Sequence, residues 1–128
     1  DLDFFKQIND RWGHQVGDRA LVHFCQAIRE LSPENAALGR VGGEEFLLLL
    51  ARTDGNAGAL FSARLRTALK TNPLVVGEKK LVLSFSAGAV EVCQGQRDTS
   101  GLLMRADKAL YDAKRTGRGK TVVAADYL

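Results

Sequence analysis

A chain of 128 residues with 45% hydrophobic content is long enough to bury one core and too apolar to stay disordered. Its formal net charge of +3, from 18 basic and 15 acidic residues, is too small to argue for nucleic-acid binding. No stretch approaches the roughly 20 consecutive apolar residues of a membrane span, no charged-then-apolar leader is present, and Cys25 and Cys93 lack metal-ligand spacing, so a soluble domain with free thiols in a reducing compartment is expected.

The chain opens on Asp1-Leu2-Asp3, an acidic ledge that reads as the tail of a strand. Phe4, Phe5, Ile8 and Trp12 follow at helical spacing. Residues 16–31 form a core-facing helix with Leu21, Phe24, Ile28 and Leu31 on one stripe, and Gly17-Asp18 can cap its start. Residues 36–41 and 46–51 read as two strands joined by Gly42-Gly43, a tight hairpin turn because glycine reaches positive φ without steric cost. Asp54-Gly55-Asn56 opens a second helix with Leu60, Phe61, Leu65 and Leu69 inward, and Asn72-Pro73 ends it. Residues 74–76 and 81–92 flank a turn at 77–80; in the longer arm Leu83, Phe85 and Ala87 alternate with Ser84, Ser86 and Gly88, so one face is greasy and the other small. A last helix starts near Thr99 behind Asp98 and runs through Leu103, Leu110 and Ala113 toward Gly117. Residues 120–124 make a final short strand. This order predicts one α+β domain over 1–128, with helices on a central, mostly antiparallel sheet of the split β-α-β, ferredoxin-like kind.

Chemistry gathers in three places. Glu44 and Glu45 sit side by side after the Gly-Gly turn, at the mouth of an apolar strand. A single acid at a strand end is ordinarily just solvated, but two acidic ledges together point to a divalent-metal site. An ion such as Mg²⁺ takes carboxylate and carbonyl oxygens at about 2.0 to 2.1 Å and keeps other positions for water and phosphate. Asp1, the Leu2 carbonyl and Glu44 can supply those oxygens, and Glu45 can help hold a second ion. Asn9 donates and accepts hydrogen bonds, and Asp18 can accept from the amine edge of guanine, the pairing a base pocket needs. Between Arg105 and Lys120 there are six basic residues and two acidic ones, which read either as a solvated helix face or as a local phosphate-binding patch.

Five blocks carry a resemblance to a known family: Asp1-Leu2-Asp3-Phe4-Phe5-Lys6-Gln7-Ile8-Asn9-Asp10, Trp12-Gly13-His14-Gln15-Val16-Gly17-Asp18, Arg40-Val41-Gly42-Gly43-Glu44-Glu45-Phe46, Ser84-Phe85-Ser86-Ala87-Gly88, and Ala109-Leu110-Tyr111-Asp112-Ala113-Lys114-Arg115-Thr116-Gly117-Arg118. In order and spacing they resemble the GGDEF family of diguanylate cyclases, over nearly the whole chain. The resemblance implies a nucleotide-cyclase palm fold and the joining of two GTP into cyclic di-GMP with release of two pyrophosphates. It implies Asp1, the Leu2 carbonyl and Glu44 as metal ligands, Glu45 beside them in catalysis, and Lys6 as a transition-state stabiliser. Asn9, His14 and Asp18 match guanine-binding positions, the backbone from Phe4 through Phe5 to Lys6 matches a phosphate loop, and Lys114 and Arg118 match triphosphate contacts, about one turn apart on a helix that extends far enough.

The same resemblance implies Mg²⁺ or Mn²⁺, two ions per active site, a homodimer in which each copy brings one GTP, no nucleic-acid partner, and a cytoplasmic location whether or not the parent protein is membrane-anchored. It further implies an upstream sensor or regulatory domain, with the family's N-terminal helix and most of its first strand lying ahead of Asp1. The chief rival is a degenerate GGDEF module that binds GTP or dimerises without cyclising; the retained Asp1, Lys6, Glu44 and Glu45 argue against it. One family element differs. Product-inhibited members carry Arg-x-x-Asp shortly before the Gly-Gly pair, where this chain has Pro33-Glu34-Asn35-Ala36, so feedback through that site is not expected.

Overall fold

The computed structural model describes residues 1–124 and contains Phe5–Trp12 (α1), His14–Leu31 (α2), Ala37–Arg40 (β1), Phe46–Leu49 (β2), Gly55–Thr71 (α3), Leu74–Val76 (β3), Lys79–Leu81 (β4), Ala87–Ala89 (β5), Thr99–Arg115 (α4) and Thr121–Val123 (β6). Helices α3 and α4 begin where their caps place them: the Asp54 carboxylate accepts from the Ala57 amide at 2.8 Å, and Asp98 accepts from the Gly101 amide at 3.1 Å. Each such cap is worth about 1 kcal/mol. Helix α2 departs from the expected start. Gly13, at φ +90°, ends α1 and caps α2 in one residue, and its carbonyl already accepts from the Gly17 amide at 3.1 Å. Asp18 is therefore an exposed residue inside the helix rather than its cap.

Strands β1 and β2 form an antiparallel hairpin in which Arg40 faces Phe46 and Ala37 faces Leu49. Strands β3 and β4 form a second, with Val76 opposite Lys79, so the turn is Gly77-Glu78 alone and Lys79 and Lys80 are already strand. Gly77 takes φ +60°, as a tight two-residue turn requires. Strand β5 pairs in parallel with β6 across α4, the crossover a parallel ladder needs. The long arm expected over 81–92 is thus divided. Its middle, residues 84–86, turns instead to the opening residues of the chain: Leu2 bridges Phe85 in antiparallel sense, the Asp3 amide donates to the Ser84 carbonyl at 2.8 Å, and the Ser86 amide donates to the Asp1 carbonyl at 3.0 Å. On the other side the Leu2 amide donates to the Glu44 carbonyl at 3.1 Å. The first residues therefore lie between the β1–β2 hairpin and the 84–86 segment.

The core follows from the apolar stripes. Phe24 of α2 packs its ring 5.5 Å from both Phe46 and Phe85, and Leu65, Leu69 and Leu74 close around them. Burying each such side chain stabilises the fold by about 1.5–3 kcal/mol. The small face of the divided arm serves close packing: a Cβ on Gly88 would lie 2.2 Å from the Ala106 carbonyl oxygen and 2.4 Å from the Leu110 amide nitrogen of α4. An apolar cavity of about 1020 Å³ lies between β2 and β5, with Phe61 and Leu102 among its walls and Asp1 also on its lining. Among the described residues no helix is long and apolar enough to cross a membrane.

Candidate active site

The acidic hairpin is gripped by its own arginine. The Arg40 guanidinium donates to the Gly42 carbonyl at 3.1 Å and to the Gly43 carbonyl at 3.0 and 2.6 Å, while the Val41 and Gly42 amides donate to the Glu45 carbonyl at 2.9 and 3.3 Å. These bonds hold Glu44 and Glu45, both half-buried, in a fixed bend. The glycines act differently from expectation: neither Gly42 nor Gly43 has a positive φ. Gly43 faces open space, with nothing within 4 Å of where a Cβ would stand, so it leaves room beside the acids rather than enabling a left-handed turn.

Asp1 stands next to this bend because the Leu2 amide is bonded to Glu44. Its side chain is 6% exposed; Oδ2 accepts from Lys114 Nζ, whereas Oδ1 is buried and accepts no hydrogen bond. A buried, unsatisfied carboxylate oxygen is a hard donor of the kind Mg²⁺ or Mn²⁺ takes, and the Leu2–Glu44 bond brings the backbone of a second acid next to it. Among the described residues no three His, Cys, Asp or Glu side chains converge as a metal-binding group, so an ion here would draw on Asp1, Glu44 and the Leu2 carbonyl rather than a cage of acids.

Lys114 and Arg118 reach the same region by separate routes. Helix α4 ends at Arg115, so the two do not share a helical face as the spacing predicts. Instead the chain passes through Gly117, Arg118 and Gly119 at φ +124°, +64° and +59°, and the Arg118 guanidinium comes to rest 5.1 Å from the centre of the Phe4 ring. Phe4 is itself left-handed at φ +58° and stands half-exposed as the first cap of α1, with no side-chain bond to the helix amides. The first-turn amides of a helix and an adjacent guanidinium are groups that can meet an anion.

Sequence reasoning passed over Asp3. Its carboxylate is fully buried, accepts from Ser86 Oγ at 2.6 Å, Ser84 Oγ at 2.7 Å and the Gly119 amide at 3.0 Å, and lies 4.0 Å from Arg118 Nη1. The signal was present in the small, hydroxyl-bearing face at Ser84 and Ser86, which has a polar partner to serve.

The residues expected from the sequence to meet the base occupy the helical rim. Asn9 packs against Gly17 so closely that a Cβ there would fall 1.8 Å from its Oδ1. Asp18 is the next residue on α2 and opens onto a shallow hollow of about 310 Å³ shared with Arg19, His23 and Leu74. His14 is exposed at the start of α2, and Phe5, first residue of α1, packs partly on the core. Lys6 is not drawn into the acidic centre: its side chain is 89% exposed and pairs with Asp10 at 3.0 Å.

The family described as "Diguanylate cyclase, GGDEF domain" matches residues 1–120. The chain is 31% identical over 128 residues to Diguanylate cyclase A of Treponema denticola, covering 100% of this chain and 34% of that protein. It is 38% identical over 124 residues to diguanylate cyclase DgcP of Pseudomonas aeruginosa, covering 97% of this chain and 18% of that protein, so it spans well under two thirds of either relative. Among solved structures it is similar to diguanylate cyclase SiaD of Pseudomonas aeruginosa in complex with its activator SiaC, at 44% identity and TM-score 0.88 over 97% of this chain and 47% of that one. It is equally similar in fold to the GGDEF domain of DgcB from Caulobacter crescentus in complex with c-di-GMP, at 30% identity and TM-score 0.86 over 97% and 74% of the two chains. The active GGEEF domain of a diguanylate cyclase from Vibrio cholerae matches at 31% identity and TM-score 0.86 over 99% and 80%. With a match that runs from the first acidic ledge to the loop after α4, the chain belongs to the GGDEF domain family of diguanylate cyclases.

Proposed function

We propose that the protein is a diguanylate cyclase that condenses two GTP into cyclic di-GMP and releases two pyrophosphates. The observation that carries this reading is the Asp1 carboxylate, buried beside the Glu44 backbone with one oxygen on Lys114 and the other unsatisfied. Asp1, Glu44 and the Leu2 carbonyl would hold Mg²⁺ or Mn²⁺, with Glu45 beside a second ion; such ions would supply a lowered pKa for the attacking hydroxyl and neutralisation of phosphate charge.

The protein's own groups do the rest. Asn9 and Asp18 bind the guanine edge, with His14 beside them. The α1 amides behind Phe4, with Lys114 and Arg118, hold the triphosphate through a point charge and a planar fork. In each half-reaction the 3′-hydroxyl of one nucleotide passes its proton to Glu44, Glu45 or a water, its oxygen bonds to the α-phosphorus of the other, the bond from that phosphorus to the bridging oxygen of the β-phosphate breaks, and pyrophosphate leaves. Lys6 faces the developing negative charge; its exposed pair with Asp10 is of a class worth only about 0.3–0.5 kcal/mol, weak enough to give way to a phosphate. Because each copy holds one GTP, two copies must face each other, and a homodimer is required. The cytoplasm supplies GTP and magnesium, and the regions that the larger relatives have beyond this match leave room for an upstream sensor domain.

The test is to incubate the protein with GTP and Mg²⁺ and to follow cyclic di-GMP. Glu44→Gln, which keeps the shape and removes the charge, is expected to lower kcat by about 10²–10³. Product formed by this variant at the parental rate defeats the metal assignment.

A further inference from the structure

Asp3 is a fully buried acid that the reaction as described does not use. A buried carboxylate is unfavourable unless hydrogen bonds and a cation compensate it, and here the compensating groups come from two separate parts of the site. Ser84 and Ser86 belong to the segment paired with the opening residues, Gly119 to the loop after α4, and Arg118 Nη1 lies 4.0 Å away. Arg66 of α3 also feels the charge: burial lowers its pKa, and Asp3 acts to raise it. Asp3 is adjacent in sequence to Phe4, whose ring lies 5.1 Å from the Arg118 guanidinium.

The conformation being held is an unfavourable one. Arg118 at φ +64° and Phe4 at φ +58° are both non-glycine residues in the left-handed region, which persists only where the surroundings dictate it. The Arg118 amide is tied to the Ala113 carbonyl at 2.9 Å, and the next amide, of Gly119, is tied to Asp3 at 3.0 Å. Two consecutive amides are thus fixed, one by the helix and one by Asp3, with Arg118 between them.

We propose that Asp3 is a positioning residue: it fixes the 117–119 loop and the Phe4 corner against each other so that Arg118 is set for the β- and γ-phosphates before nucleotide arrives. Asp3 acts through Arg118 and touches no substrate. The inference rests on the reading of Arg118 as a triphosphate contact.

The experiment measures binding of two probes to the intact protein: 3′-deoxyguanosine triphosphate, which cannot attack, and GMP, which lacks the outer phosphates. Asp3→Asn is expected to weaken triphosphate binding by about tenfold or more, as loss of a supporting partner commonly does, and to leave GMP affinity within about twofold. In an Arg118→Ala background the same substitution should add less than about twofold, because its effect runs through that side chain. Equal weakening of GMP, or a full effect persisting without Arg118, overturns the proposal in favour of a general structural role. If Asp3→Asn does not fold, Ser84→Ala, which removes one of two donors on Oδ2, takes the same cycle and is expected to show the same dependence on Arg118; an effect independent of Arg118, or no effect, again overturns it. Arg118→Ala binding the triphosphate at the parental affinity refutes the triphosphate reading itself, whereas a weakened Arg118→Ala beside an unaffected Asp3→Asn refutes the positioning role alone.

Discussion

The two halves of the site are built on opposite principles. On the acidic side, the carboxylates of Asp1 and Asp3 are buried and bonded to Lys114 and to Gly119, and Leu2 between them is bonded to the hairpin at Glu44. On the helical rim, the base-side residues His14 and Asp18 are exposed and Asn9 is fixed by packing; Lys6, also exposed, is the exception among the groups proposed to meet phosphate charge. The contrast follows from the chemistry proposed for each. Groups that handle phosphate charge are worth most when they are held in place beforehand in a water-poor setting, while a flat base can be met by side chains that settle on arrival.

Substitutions can break that contrast, and the largest effect should come from the pinned side. Asp1→Asn removes the charge that Lys114 meets and a metal oxygen; kcat is expected to fall by about 10²–10³, with the melting midpoint changed little, as thermal unfolding beside a turnover assay will show. Gly88→Ala tests the frame under that side. The added methyl would collide with the backbone of α4 at Ala106 and Leu110, which no side-chain movement relieves, so a loss of about 1–3 kcal/mol in denaturant unfolding is expected. Wild-type stability in this variant would mean that β5 and α4 are not so closely apposed.

The rim should respond more softly. Gly17→Ala drives its methyl onto the Asn9 amide, the end of a flexible side chain, so the fold survives and the base contact shifts; KM for GTP is expected to rise by about tenfold, with kcat and stability nearly unchanged. A matching loss of stability would move Asn9 from the binding rim to the structural frame. The smallest effect is a null: with Pro33-Glu34-Asn35-Ala36 in place of Arg-x-x-Asp, micromolar cyclic di-GMP should leave the initial rate unaltered, and strong inhibition would contradict this.

Local chemistry was readable from the chain wherever it depended on neighbours in sequence. Asp54 and Asp98 marked the starts of α3 and α4, Asn72-Pro73 marked a helix end, and the apolar stripes named the core residues Phe24, Leu65 and Leu69. The reading slipped where two local signals competed. Gly17-Asp18 looked like a cap, but Gly13 at φ +90° had already turned the chain, and the apparent helical partnership of Lys114 and Arg118 dissolved because left-handed residues follow Arg115. The hairpin of 74–76 with the start of the 81–92 arm formed, with Leu74 opposite Leu81, but the arm did not continue as one strand, since alternation states which side a residue faces and not which strand lies beside it.

The sequence by itself determined the family, the α+β order of elements and the identity of nearly every polar group proposed for the chemistry, because those reside in residue types at short spacings. Only the tertiary structure decided that Asp3, and not a nearer neighbour, ties Ser84, Ser86 and Gly119 into one unit. The physical reason is distance along the chain: partners separated by 81 to 116 residues meet only when the sheet and α4 have closed, and no periodicity records that closure.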